Sequence, residues 1–101
     1  MKVIYTDQAI DSLEESIKFY KRKQKVPTEK IDLIITQLFD RADSLAENPY
    51  LGQLEDYLEY LGEGHRRVIE GHFKIIYKIY PDYIIITDFF DTRQNPEQIN
   101  G

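Results

Sequence analysis

Several cationic side chains of this 101-residue chain gather where an anion could be held. Arg66 and Arg67 stand side by side, Lys74 and Lys78 follow within an apolar run, and Arg93 comes just after it. A guanidinium can grip a phosphate or a carboxylate through two parallel hydrogen bonds. A fixed ammonium can stabilise charge that develops during a reaction. His65 and His72 titrate near neutral pH and could move a proton or bind an anion. Two histidines seven residues apart do not form a metal signature, and with no cysteine there is neither a thiolate zinc site nor a disulfide. No metal and no cofactor are expected. The chain also lacks a serine elbow, a glycine-rich phosphate loop and a carboxylate–metal cluster. A blander reading covers the same residues. Lys74 and Lys78 alternate with Phe73, Ile75 and Tyr77, as on the wet face of a sheet covered on one side. Arg93 beside Asp91 reads as a surface ion pair, which contributes little. His65 and His72 flank Gly64 and Gly71 and read as loop histidines. Tyr77 and Tyr80 read as sheet packing.

The elements that must position these residues lie between His65 and Pro96. Three runs rich in Ile, Val, Tyr and Phe are separated by turn residues, a pattern that favours strands. Pro81-Asp82 suits a tight turn between the last two. The pattern predicts an antiparallel meander. Upstream, Lys2 to Tyr5 is a short strand candidate able to pair with it. Thr6 or Asp7 can cap a helix in which Ala9, Leu13, Ile17 and Tyr20 form one apolar stripe. Lys18, Lys21, Arg22, Lys23 and Lys25 crowd its end, where cations suit the helix dipole. Pro27 stops this pattern and can open a second helix. There the stripe is Ile31, Ile34, Ile35, Leu38, Ala42, Leu45 and Ala46, ended by Asn48-Pro49. Residues 50–64 are ambiguous. Gly52, Gly62 and Gly64 argue for turns, while Leu54, Leu58 and Leu61 could form a short helical segment. The order strand, helix, helix, three strands predicts an α+β fold. An antiparallel helix hairpin should cover one face of the sheet.

Length allows one domain and one core, residues 1–101. Hydrophobic residues make up 42% and charged residues 31%, as in a globular protein. No apolar run approaches a membrane span and no signal-peptide pattern opens the chain, so a cytoplasmic location and no membrane partner are expected. Net charge is −5, which makes a poor generic nucleic-acid binder, because such affinity rests mainly on neutralising phosphates. The charge is unevenly spread. Residues 43–63 carry six acids and no base, whereas residues 18–30 carry six bases and one acid. A local basic face could still serve an acidic partner.

Asn48-Pro49-Tyr50-Leu51-Gly52, Arg66-Arg67, Phe73-Lys74-Ile75-Ile76-Tyr77 and Phe90-Asp91-Thr92-Arg93 occur in this order. Together they resemble the RelE/ParE superfamily of toxins from bacterial type II toxin–antitoxin modules (plasmid stabilisation proteins). The resemblance spans nearly the whole chain. It implies a toxin whose partner is a cognate antitoxin with a C-terminal segment that wraps it. RelE-like members cut mRNA in the ribosomal A site; ParE-like members poison DNA gyrase. The resemblance places family basic positions at Lys74 and Arg93. Cleavage by the 2′-hydroxyl needs a base, cations on the phosphate and an acid for the leaving oxygen. On that reading Lys74 and Arg93 would be catalytic. Arg66, Arg67, His72 and Lys78 would bind nucleic acid or a partner. RelE-like chains usually end with a Tyr, or a His-Tyr pair, after the last strand. Asp91 to Ile99 contains neither, which favours the ParE-like reading: a toxin that inhibits a gyrase-type target. The RelE-like nuclease and a non-toxic interaction module are the alternatives.

Overall fold

The computed structural model describes every residue from Met1 to Gly101. Strand β1 is Lys2–Tyr5, helix α1 Asp7–Arg22 and helix α2 Thr28–Ser44. Strand β2 is the two-residue Gln53–Leu54, followed by β3 (Arg66–Glu70), β4 (Phe73–Ile79) and β5 (Tyr83–Asp91). One sheet holds all five strands in the order β1-β5-β4-β3-β2, with β1 parallel to β5 and the other pairs antiparallel. The meander is as expected, and β1 joins it at the far edge. Strand β2 lies in the stretch that periodicity left open; two residues are too short to show an alternation.

Both helices follow from their caps and stripes. Thr6 Oγ1 accepts the Ala9 N–H at 3.0 Å and opens α1. Pro27 stands just before α2. That helix stops at Ser44, four residues short of Asn48, so the Asn-Pro pair does not end it. A turn closes it earlier, with Leu45 N–H bonding Ala42 O at 3.1 Å. Tyr5 donates to Asp43. The end of α2 therefore returns to where α1 begins, and the two helices run antiparallel.

Side chains of a strand alternate between faces, and β4 and β5 are buried on both. Ala9, Leu13, Ile31, Leu38, Ala42 and Leu45 pack with Val68, Phe73, Ile75, Tyr77, Ile84, Ile86 and Phe89 in one core. Both helices thus cover the same face. A bulge sits in this layer: Ile76 faces Asp88 but Tyr77 faces Ile86. The extra residue, Thr87, lets Ile86 and Phe89 share a face although three positions apart. The reverse face carries a second cluster of Leu58, Ile76, Phe90 and Ile99. The 3₁₀ helix Asp56–Leu61 supplies Leu58 and the segment after Pro96 supplies Ile99. The reverse face is therefore not the wet face that alternation suggested. Leu58 is buried, but Leu54 and Leu61 of the same triplet are exposed.

Tyr77 fastens the β2 region to the core. Its buried hydroxyl donates to Pro49 O at 2.7 Å and accepts the Gly52 N–H at 2.9 Å. A Cβ on Gly52 would stand 2.5 Å from Arg67 O and 2.6 Å from the Tyr77 hydroxyl. Glycine is required here by close approach. Gly52→Ala should destabilise the fold by about 3 kcal/mol, the upper range for overpacking, and Tyr77→Phe by about 1 kcal/mol or more. Urea unfolding at matched slopes checks both; midpoints equal to the parent's would contradict the fastening.

Candidate functional site

Strand register places Lys74 and Arg93 on different sides of the sheet. Lys74 pairs with Phe90 and shares its face, the reverse one. Asp91, which holds Arg93, pairs with Phe73 and shares the helix face. The two cations that a nuclease reading joins are thus separated by the sheet itself.

Each is also committed to a carboxylate. Lys74 Nζ lies 2.8 Å from Glu55 Oε1, and the Glu55 side chain is 1% exposed. Arg67 approaches the same oxygen at 3.9 Å, and Glu55 Oε2 accepts the Tyr57 N–H at 3.1 Å. Lys74 also lies over the Tyr57 ring, 5.5 Å from its centroid. On the helix face, Arg93 Nη2 meets Asp91 Oδ2 at 2.7 Å and Arg93 Nε meets Asp91 Oδ1 at 3.0 Å, a bidentate pair. Tyr20 donates to Asp91 Oδ2 at 2.7 Å and receives a bond from Arg93. The pair is partly exposed, as expected, but its carboxylate is buried and tied to α1. Burial alone would raise the Asp91 carboxyl; the bonds from Arg93 and Tyr20 outweigh it and hold the pKa below the usual range. Burial, and then the neighbouring carboxylate, push the Tyr20 hydroxyl up to about 12, so it keeps its proton at neutral pH.

The remaining candidates scatter. Arg66 bonds Gly52 O at 2.6 Å and its guanidinium lies over the Tyr50 ring. Arg67 bonds Leu54 O and, at 3.2 Å, Gln53 Oε1. Both therefore brace β2. Lys78 pairs with Glu63 at 2.9 Å. That bond raises the Lys78 pKa and lowers that of Glu63. His72 is exposed and lines a small cleft with Arg93, Tyr20 and Lys30. His65 is not a loop histidine in the ordinary sense. It is 2% exposed and neither ring nitrogen has a partner. Burial lowers its pKa and Lys78 lowers it further, which keeps the ring neutral.

The basic residues do not form one surface. Tyr20 meets Phe73 edge-on, and Phe73 lies opposite Glu70 at one end of β3. Lys18 to Lys25 therefore belong to that end, while Arg66, opposite Tyr77, marks the other. Sequence reasoning missed two partners: Tyr20, legible only as a core position, and Glu55 as the counter-charge of Lys74; the Arg93–Asp91 pair was legible. Glu55 is 19 residues from Lys74, and no local spacing links them. No three His, Asp or Glu side chains converge as a metal site, and no helix is long and apolar enough to cross a membrane.

Two outcomes follow. Lys74→Met leaves Glu55 buried with only the distant Arg67, which should cost about 3 kcal/mol; Lys74→Met with Glu55→Leu should recover most of it, read by urea unfolding. The depressed Asp91 pKa contributes stability above the ordinary carboxylate pKa, lost as pH falls through the folded value. Arg93→Ala removes the guanidinium bonds and charge and leaves burial opposed only by Tyr20 and the backbone N–H of residue 93, so acid unfolding should begin at higher pH than in the parent. Circular dichroism from pH 7 to pH 2 would show it, and coincident curves would refute the coupling.

Comparison with known proteins places this geometry. No curated protein matches the chain. Among solved structures, the chromosomal ParDE toxin–antitoxin system from P. aeruginosa superposes with a TM-score of 0.72 at 17% identity. The match covers 90% of this chain and 95% of that one, and at such identity it speaks for the fold. The sequence model described as the ParE toxin of the type II toxin–antitoxin system parDE matches residues 3–96. The chain belongs to the ParE toxin family of type II toxin–antitoxin systems.

Proposed function

We propose that this toxin acts by binding and inhibiting a gyrase-type target, and that a cognate antitoxin neutralises it. The observation that carries the reading is the separation of Lys74 and Arg93 by the sheet, each held by its own buried carboxylate. Phosphodiester cleavage needs cations that converge on one phosphate together with an acid and a base. Here the cations diverge, and their charge is already balanced. Releasing either one for a phosphate would leave a carboxylate buried without its counter-ion, which is costly.

The RelE-like reading draws on one observation. Tyr20 sits against Arg93, beside His72, and retains its proton. A tyrosine reaches the end of β5 from α1, although none follows the strand. In the proposed role, Arg93 stays paired with Asp91 while His72 and the basic end of α1 beside it engage an acidic partner segment. Arg66 and Arg67 act as braces of β2, and Lys78 and Lys74 hold the reverse face.

Induction in cells separates the readings. DNA replication should stop before translation, with gyrase trapped on DNA and no new message ends on ribosomes. Arg93→Ala at matched expression should reduce toxicity; Lys74→Ala should reduce it only as far as folded protein is lost. New ribosome-dependent message ends that vanish in both variants would overturn the proposal. Purification from the native operon should yield a bound second protein, and its absence would count against the antitoxin.

A further inference from the structure

The segment 50–61 exposes more apolar side chain than its length should. Tyr50, Leu51, Leu54, Tyr57, Tyr60 and Leu61 are all exposed there, Tyr60 at 81%. Scattered single apolar residues on a surface are ordinary, but six exposed within twelve residues are a concentration that points to an interaction site. The same stretch holds the surplus negative charge. Of its neighbours, Glu55 is neutralised by Lys74 and Glu63 by Lys78. Asp56 and Glu59 form no ion pair. Both line a cleft of about 200 Å³ whose walls include Leu54, Leu58, Gly62 and His65. Glu55 and Gly64 complete the lining, so two carboxylates without ion pairs stand there beside Leu54, Leu58 and the buried imidazole of His65. The open ring of Tyr60 stands on the same 3₁₀ helix.

We infer that this face docks a protein segment in which an arginine is flanked by apolar residues, the arginine entering the cleft beside Asp56 and Glu59. Charge complementarity selects a cation. Leu54 and Leu58 in the lining suit a long aliphatic stem with the charge at its tip, as in Arg or Lys. Arginine suits the site better than lysine, because its planar fork binds carboxylates bidentately and stacks on tyrosine. The neutral His65 adds no repulsion. Tyr and Arg are also the residues that dominate protein interfaces. The inference does not depend on what the toxin inhibits: the cationic site around Arg93 lies at the opposite end of β3 and β4.

The test is an amide-resolved NMR titration of the full chain with an acetylated, amidated Leu-Arg-Leu tripeptide and with its citrulline counterpart, the uncharged isostere. The arginine peptide should shift the amides of residues 54–65. The citrulline peptide and the exposed-site variant D56N/E59Q should each weaken binding about tenfold. Higher salt should weaken it too, and Tyr60→Ala should lower affinity while leaving the spectrum otherwise unchanged. Equal shifts from both peptides, shifts centred outside 54–65, no shifts at all, or binding untouched by D56N/E59Q would overturn the inference. So would concentration-dependent shifts without peptide that pair residues 54–65 with Lys18 to Lys25, since they assign the face to a second copy.

Discussion

Strands β4 and β5 bury side chains on both faces, and this double burial sets the terms for everything around them. An antiparallel sheet can leave one face wet. This one does not, because Ile76 and Phe90 point away from the helices and must be covered. The helix hairpin covers one face. The 3₁₀ helix Asp56–Leu61 and the segment around Ile99 cover part of the other. Lys74 and Lys78, which share that second face, are drawn under the cover as well. An ammonium in such a place needs a counter-charge and hydrogen bonds. The acidic stretch 43–63 provides them, through Glu55 and Glu63. Its uneven charge is thus partly a structural necessity, and Asp56 and Glu59 are among the carboxylates left without an ion pair.

The same geometry is what the proposed binding role rests on. Function follows from what converges on a site, not from the fold that holds it. A sheet places residues i and i+1 on opposite faces, so Phe73 and Lys74 look in opposite directions, as do Phe90 and Asp91. Lys74 and the Asp91–Arg93 pair therefore cannot meet without a change of register. At the helix end, Tyr20, Asp91 and Arg93 form a closed hydrogen-bonded set that joins α1 to the end of β5. Removing Arg93 would disturb that junction as well as any partner contact, and toxicity data on it need a stability measurement beside them.

Much of the fold was legible because its signals are local. Thr6, Pro27 and the stripes Ala9/Leu13 and Ile31/Leu38 announce the helices, and the alternating Ile and Tyr runs announce the meander. The parallel pairing of β1 was readable only as a possibility, since nothing in Lys-Val-Ile-Tyr specifies its neighbour. Strand β2 and the bulge at Thr87 were not readable. Both depend on contacts made across the sheet: Tyr77 to Gly52 in one case, the shared face of Ile86 and Phe89 in the other. The site was less legible than the fold. Its cations could be named from sequence, and so could Asp91 beside Arg93, but the counter-charges Glu55 and Glu63 could not, because they lie far from Lys74 and Lys78 in the chain. Exposure of His65 was misjudged because adjacent glycines suggest an open loop, whereas the ring is covered beside Leu61 and Gly101.

A reconstituted assay with purified components bears most directly on the divergence of Lys74 and Arg93. The folded chain is added, in parallel, to programmed ribosomes carrying a defined message and to gyrase relaxing or supercoiling a plasmid. The expected result is intact message, read by primer extension, together with inhibited supercoiling. Message cut in the ribosomal A site, with gyrase unaffected, would contradict the account.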